Sequence, residues 1–179
     1  MRSLSYNHLG AEGAAALAPA LAANGALTEC NVRGNNLDRE SAKKLAKIGT
    51  EKGIMLFGIK RDQKEANFAG QHLGPADAIL ISSDLVIGTL TEMSIYSNDV
   101  GDEGVGAICE AIQSDKETML TSLNFVYNGI GRVGANAVAA MLAVTGSLTK
   151  MRYVSPRTNL SEFGAPSWLD EWVQFVRER

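Results

Sequence analysis

The stretch Leu120-Thr121-Ser122-Leu123-Asn124-Phe125-Val126-Tyr127-Asn128-Gly129-Ile130-Gly131-Arg132-Val133-Gly134 decides how this chain folds. Leu123 and Phe125 stand two apart, the alternation of a short half-buried strand. An asparagine and glycines follow, then Ala135, Val138, Ala139 and Leu142 at helical spacing. The phrase returns at Leu90-Thr91-Glu92-Met93-Ser94-Ile95-Tyr96-Ser97-Asn98-Asp99-Val100-Gly101-Asp102-Glu103-Gly104, followed by Val105, Ile108, Cys109 and Ile112. A strand–turn–helix unit cannot bury its apolar face alone, so copies must stack, with strands paired in parallel on one side and helices on the other.

Weaker copies extend the series. Turn asparagines fall at Asn7, Asn35, Asn98 and Asn128, 28 residues apart at the first step and 30 at the last. Cys30 and Val32, and later Met151 and Tyr153, repeat the strand alternation. Ala14, Leu17, Ala18, Leu21 and Ala78, Ile81, Ser82, Leu85 repeat the helical one. One inward helix slot is always small (Ala18, Ser82, Cys109, Ala139), which lets helix and strand approach. Each turn asparagine stands where the chain leaves its strand, so its amide is expected to bond backbone groups the turn leaves unpaired.

The phrase resembles the long leucine-rich repeat of ribonuclease-inhibitor and NOD-like-receptor type, over roughly residues 2–160. The resemblance implies an α/β leucine-rich-repeat solenoid: a horseshoe with a concave parallel sheet and convex helices. The whole chain, 1–179, then reads as one domain, with repeats at about 1–26, 27–53, 54–64 (short), 65–89, 90–119, 120–147 and 148–179. The middle departs from the pattern. Residues 54–59 and 65–73 both read as strands, with no room for a helix between them, so an irregular helix-less step near 54–73 should change the curvature. The next helix is expected to open at Gly74-Pro75, proline being tolerated in a first turn. Pro19 should bend the first helix on its outer side. The chain starts inside a repeat, as a stretch of a longer array would. At the other end Pro156 takes the asparagine position, and an amphipathic closing helix at 166–176 gathers Trp168, Leu169, Trp172, Val173 and Val176 on one face.

Composition narrows the function classes. With 45% hydrophobic residues and a net charge of −3, the chain can bury a core and carries no basic tract for a nucleic-acid backbone. No apolar run reaches the roughly 20 residues of a membrane span, and no signal-peptide pattern opens the chain. A soluble cytoplasmic protein is expected. Gly129-Ile130-Gly131-Arg132-Val133-Gly134 matches the dinucleotide-binding G-x-G-x-x-G. Gly101 and Gly104, and Gly10 and Gly13, hold two of those slots as a repeat property, and no acid follows on the next strand to hold a ribose. His8 and His72 share one loop slot without companion ligands. Cys30 and Cys109 occupy packing slots. Asp99, Asp102 and Glu103 surround a helix start, where carboxylates complement the dipole. No Ser, His and Asp set converges, and no cofactor or metal is expected.

What remains is the surface. Alternation points Glu29, Asn31, Arg33, Lys60, Glu65, Asn67, Glu92, Ser94, Tyr96, Asn124, Lys150 and Arg152 into the hollow, along with Ser3, Ser5, Leu56, Gly58, Ala69, Ser122, Val126 and Val154. Acids lie toward the start and bases toward the end, a gradient suited to orienting a partner. The expected function is a non-catalytic module that binds a protein or peptide on its concave sheet. The alternatives are a GTPase-activating or other regulator of the same repeat class, or a structural subunit of a larger assembly. Ribonuclease inhibitors are richer in cysteine and acid than this chain.

Overall fold

The computed structural model describes residues 2–153. The elements are β1 (Arg2–Ser3), α1 (Gly10–Ala23), β2 (Cys30–Asn31), α2 (Arg39–Lys52), β3 (Glu65–Asn67), α3 (Pro75–Ile87), β4 (Glu92–Ser94), α4 (Gly101–Ser114), β5 (Ser122–Asn124), α5 (Arg132–Val144) and β6 (Lys150–Arg152). All paired strands are parallel, and consecutive helices pack on one another to form the second layer. The closing helix predicted at 166–176, with its Trp168 and Trp172 face, Pro156 and Val154 lie outside the described residues.

The turn asparagines perform the expected work. The Asn35 side chain is buried, and its Nδ2 donates to the carbonyls of Leu4 (2.8 Å) and Val32 (2.8 Å) while its Oδ1 accepts from Asn7 N (3.2 Å). Asn98 Nδ2 donates to Phe68 O (2.9 Å) and Ile95 O (2.8 Å), and its Oδ1 accepts from Gln71 N and Leu73 N, both 3.0 Å. Each amide thus ties its own turn to that of the preceding repeat. The residue just before each of these asparagines adopts positive φ: Tyr6, Gly34, Ser97 and Tyr127.

The second glycine of the turn serves close packing. A Cβ on Gly104 would lie 2.8 Å from Ala78 Cβ of α3, and one on Gly134 would lie 2.7 Å from Asp102 Oδ1 of α4. Helix boundaries follow local chemistry. Asp38 caps α2 by accepting from Ser41 N (2.7 Å), and Gly53 closes it with φ 67°. Pro75 stands in the first turn of α3 as expected. Pro19 faces solvent on α1.

The sheet breaks in the middle. Its strands form a two-stranded sheet, β1-β2, and a four-stranded one, β3-β4-β5-β6. Residues 54–59 make a single bridge, Glu29 to Met55, and no regular strand, which corrects the expectation of one there. The cause is a one-residue slip. Cys30 N donates to Met55 O, but Val32 N, two residues on, donates to Leu56 O, only one residue on. Leu56, expected in the hollow, is instead fully buried: a Cβ on Gly49 of α2 would meet its Cδ1 at 2.7 Å. The slip leaves the N–H groups of Leu56 and Phe57 without a strand partner. The carboxylate of Asp84, projecting from α3, accepts both, at 2.6 and 2.9 Å.

Asp84 has no exposed surface, and burial pushes its carboxyl up to about 7 against the lowering effect of the backbone N–H groups of Leu56, Phe57 and Ile59; Glu29 adds to the rise. A second staple closes the outer side of the break. The Arg33 guanidinium lies 5.2 Å from the ring centre of Phe57, 5.7 Å from Phe68 and 5.6 Å from Tyr6, and it donates to the Gln71 side chain. Phe57 and Phe68 meet edge to face at 5.2 Å. The helix layer continues unbroken past this point, α2 packing on α3 as α3 packs on α4.

The core is one cluster running the length of the array, from Ala14 to Tyr153. In α3 the phase differs from expectation: Ser83 is buried, whereas Ser82 is half-buried and bonds Ile79 O. In α5 Met141 is fully buried and Ala139 only half so. Cys30 and Cys109 are packing residues, and burial, aided by Glu110, pushes the Cys109 thiol up to about 12. Native protein at pH 8 should therefore give no carbamidomethyl adduct at either cysteine with iodoacetamide, and two in urea. Mass-spectrometric detection of a Cys109 adduct in the native state would contradict this packing.

Candidate interaction surface

The concave face of the four-stranded sheet is banded, because parallel register aligns like positions in rows. The first row is Glu65, Glu92, Ser122, Lys150, each the direct partner of the next. The second is Asn67, Ser94, Asn124, Arg152. Backbone bonds from Gly70 N to Tyr96 O and from Ser97 N to Val126 O extend the register to a third row, Ala69, Tyr96, Val126. Over the first two rows lies a shallow hollow of about 270 Å³.

The rows differ in what their side chains have left to offer. In the second row Asn67 Oδ1 accepts from Ala69 N (3.0 Å), Ser94 Oγ from Tyr96 N (3.4 Å) and Asn124 Oδ1 from Val126 N (3.1 Å). Asn31 does the same for Arg33 N (3.0 Å) and Ser3 for Ser5 N (3.3 Å). These are Asx- and Ser-type turns that hold the strand exit. Sequence reading took these residues as contact positions. Their recurrence four positions before each turn asparagine is the signal that they also shape the turn. In the first row Glu65, Glu92 and Lys150 are exposed, and among the described residues no ion pair engages them or Arg152. In the third row Tyr96 is 39% exposed and meets Tyr127 edge to face at 5.5 Å; Tyr127, 54% exposed, was not foreseen in the sequence.

The other predicted positions lie apart from these bands. Asn31, in β2 of the two-stranded sheet, and Glu29, just before it, are half-buried, and Lys60 is exposed in the loop before β3. Arg33 is half-buried in its aromatic staple. Gln71, exposed, holds the asparagine slot of its repeat.

The remaining motifs have structural roles. Gly131 N–H donates to Asp102 Oδ1 at 2.6 Å, so the glycine-rich turn is tied to α4. Glu103 pairs with Arg39 (2.8 Å) and Lys43 (3.2 Å) of α2, reaching past α3. His8 lies 3.4 Å from the Asn36 amide. Among the described residues no group of His, Cys, Asp or Glu is placed to hold a metal ion, and no helix is long and apolar enough to cross a membrane. A cleft of about 720 Å³ opens between residues 32–40 and the start of α3; its Asp77 carboxyl is shifted upward by burial and bonds Gly74 N at 3.0 Å.

A leucine-rich-repeat family model matches residues 3–18, 89–109 and 116–139. With the alternating helices and the parallel sheet, the matches make the chain a leucine-rich-repeat protein, an α/β solenoid. No curated protein matches it. Repeats of this class generally mediate protein–protein interaction and typically are not catalytic.

Proposed function

We propose that this protein is a non-catalytic interaction module that binds a protein or peptide on its concave sheet. The observation that carries the reading is the banded face itself: exposed charges that no ion pair engages among the described residues, and exposed tyrosines, arranged in register. Tyrosine and arginine are the residue types that most often dominate binding energy. Contact positions are Glu29, Asn31, Arg33, Lys60, Glu65, Asn67, Glu92, Ser94, Tyr96, Asn124, Lys150 and Arg152, with the first and third rows of the four-stranded sheet contributing most. We infer further that the repeats are of the long ribonuclease-inhibitor-like type, in seven units at the boundaries read from the sequence, and that the protein works in the cytoplasm without nucleic acid. Among the described residues, a helix in each of the units 1–26, 27–53, 65–89, 90–119 and 120–147 supports the repeat type.

Affinity capture from a lysate should recover a protein with the native chain that is lost with Glu92→Lys, Tyr96→Ala and Arg152→Glu combined, both chains being folded by circular dichroism. Equal recovery by the two would move the site off the concave sheet.

A further inference from the structure

The banding defines the chemistry of what fits. Glu65 and Glu92 are direct partners on β3 and β4, both exposed, with no cation bound to either among the described residues. Like charges placed opposite one another weaken a sheet, so this pair is relieved by an external cation. Lys150 ends the same row on β6, two strands from Glu92 and about 10 Å away at the usual strand spacing, and Arg152 stands in the next row beside it. They repel a cation from that side and direct it to β3 and β4. Four residues along β4 from Glu92, about 13 Å at extended spacing, the apolar row begins. There Ala69 leaves room beside Tyr96, and the Tyr127 ring stands at its edge. Between the two bands, Ser94 and Asn124 are committed to their own backbone.

Resting on the concave-face reading, we propose that this sheet takes an extended segment of another protein that carries a lysine or arginine over Glu65 and Glu92. About four residues from that cation, the segment carries an aromatic or other large apolar side chain against Tyr96 and Tyr127. The segment lies along the strand direction, and its cation rests on β3 and β4.

A random dodecapeptide library displayed on phage, selected on the immobilised full chain, tests this. The selected peptides should share a Lys or Arg three to five positions from Phe, Tyr, Trp, Leu or Pro. Synthetic copies should bind about tenfold or more weakly to Glu65→Gln/Glu92→Gln and to Tyr127→Ala, and within about twofold of native to Glu110→Gln, exposed on α4 away from the sheet. Acidic peptides that lose binding with Lys150→Gln/Arg152→Gln would overturn the inference and leave concave-face recognition standing. Peptides indifferent to every concave variant would overturn both. Enrichment of no peptide overturns the inference, and the cross-linking described below then decides the broader reading separately.

Discussion

Replacing Asp84 by leucine should destabilise the protein by about 2–4 kcal/mol at pH 5, because the N–H groups of Leu56 and Phe57 lose their acceptor in a site water does not reach. A leucine conserves bulk, so the loss reports the hydrogen bonds more than a cavity. The pH dependence has a definite sign. The folded-state carboxyl titrates at about 7, above its ordinary value of 3.8, so the folded chain holds a proton that the unfolded chain has released. The stability tied to that proton is complete below about pH 4 and falls as pH rises toward 7, on the order of 1 kcal/mol per pH unit. Asp84→Asn should flatten this part of the profile, and the cost of Asp84→Leu should be smaller at pH 8 than at pH 5. Urea denaturation followed by circular dichroism across this range measures both. A native stability that stays level from about pH 5 to 7 and drops below about pH 4 would mean the buried group is ionised throughout, with the two N–H bonds outweighing burial.

Asn35→Ala should cost about 2–4 kcal/mol, since it strips bonds from the buried carbonyl of Val32, from the half-buried carbonyl of Leu4 and from Asn7 N at once. The same change at Asn7, whose exposed amide donates to Leu4 O and Ser5 O within its own turn, should cost under about 1 kcal/mol. The contrast isolates the tie between repeats from the turn itself. Urea midpoints that fall equally for the two variants would show that the turn, and not the inter-repeat bond, carries the stabilisation.

These residues also mark what could be read in the sequence. The strand–turn–helix unit was legible because each copy repeats a period-two apolar pattern, an asparagine and a period-3.6 pattern, and stacking leaves such a pattern few solutions. Gly74-Pro75 placed a helix start for a local reason of the same kind. The sheet break was partly legible: the lack of room for a helix between 54 and 73 showed in the spacing. Its structure did not. The slip at Leu56 leaves the pattern of residue types unchanged, since Ile54 through Phe57 are apolar in either phase. Asp84 was missed because its value comes from groups 27 and 28 residues away, which helix periodicity cannot report. A carboxylate inside Ile79-Leu80-Ile81-Ser82-Ser83-Asp84-Leu85-Val86-Ile87 was the available sign.

At the candidate site, alternation placed the outward residues of β3 to β6 on one face, but their register, and hence the bands, needed the pairing. Tyr127 escaped because its backbone leaves the strand at positive φ just before Asn128, so the period-two rule no longer applies to it.

Site-specific photo-cross-linking tests concave-face recognition most directly. A benzophenone amino acid would replace Ser122, in the hollow of the sheet, or Glu110, exposed on the outer face of α4. Irradiation in lysate should give a discrete adduct to another protein from position 122 and none from position 110. An adduct from position 110 alone would contradict the account and place recognition on the helices.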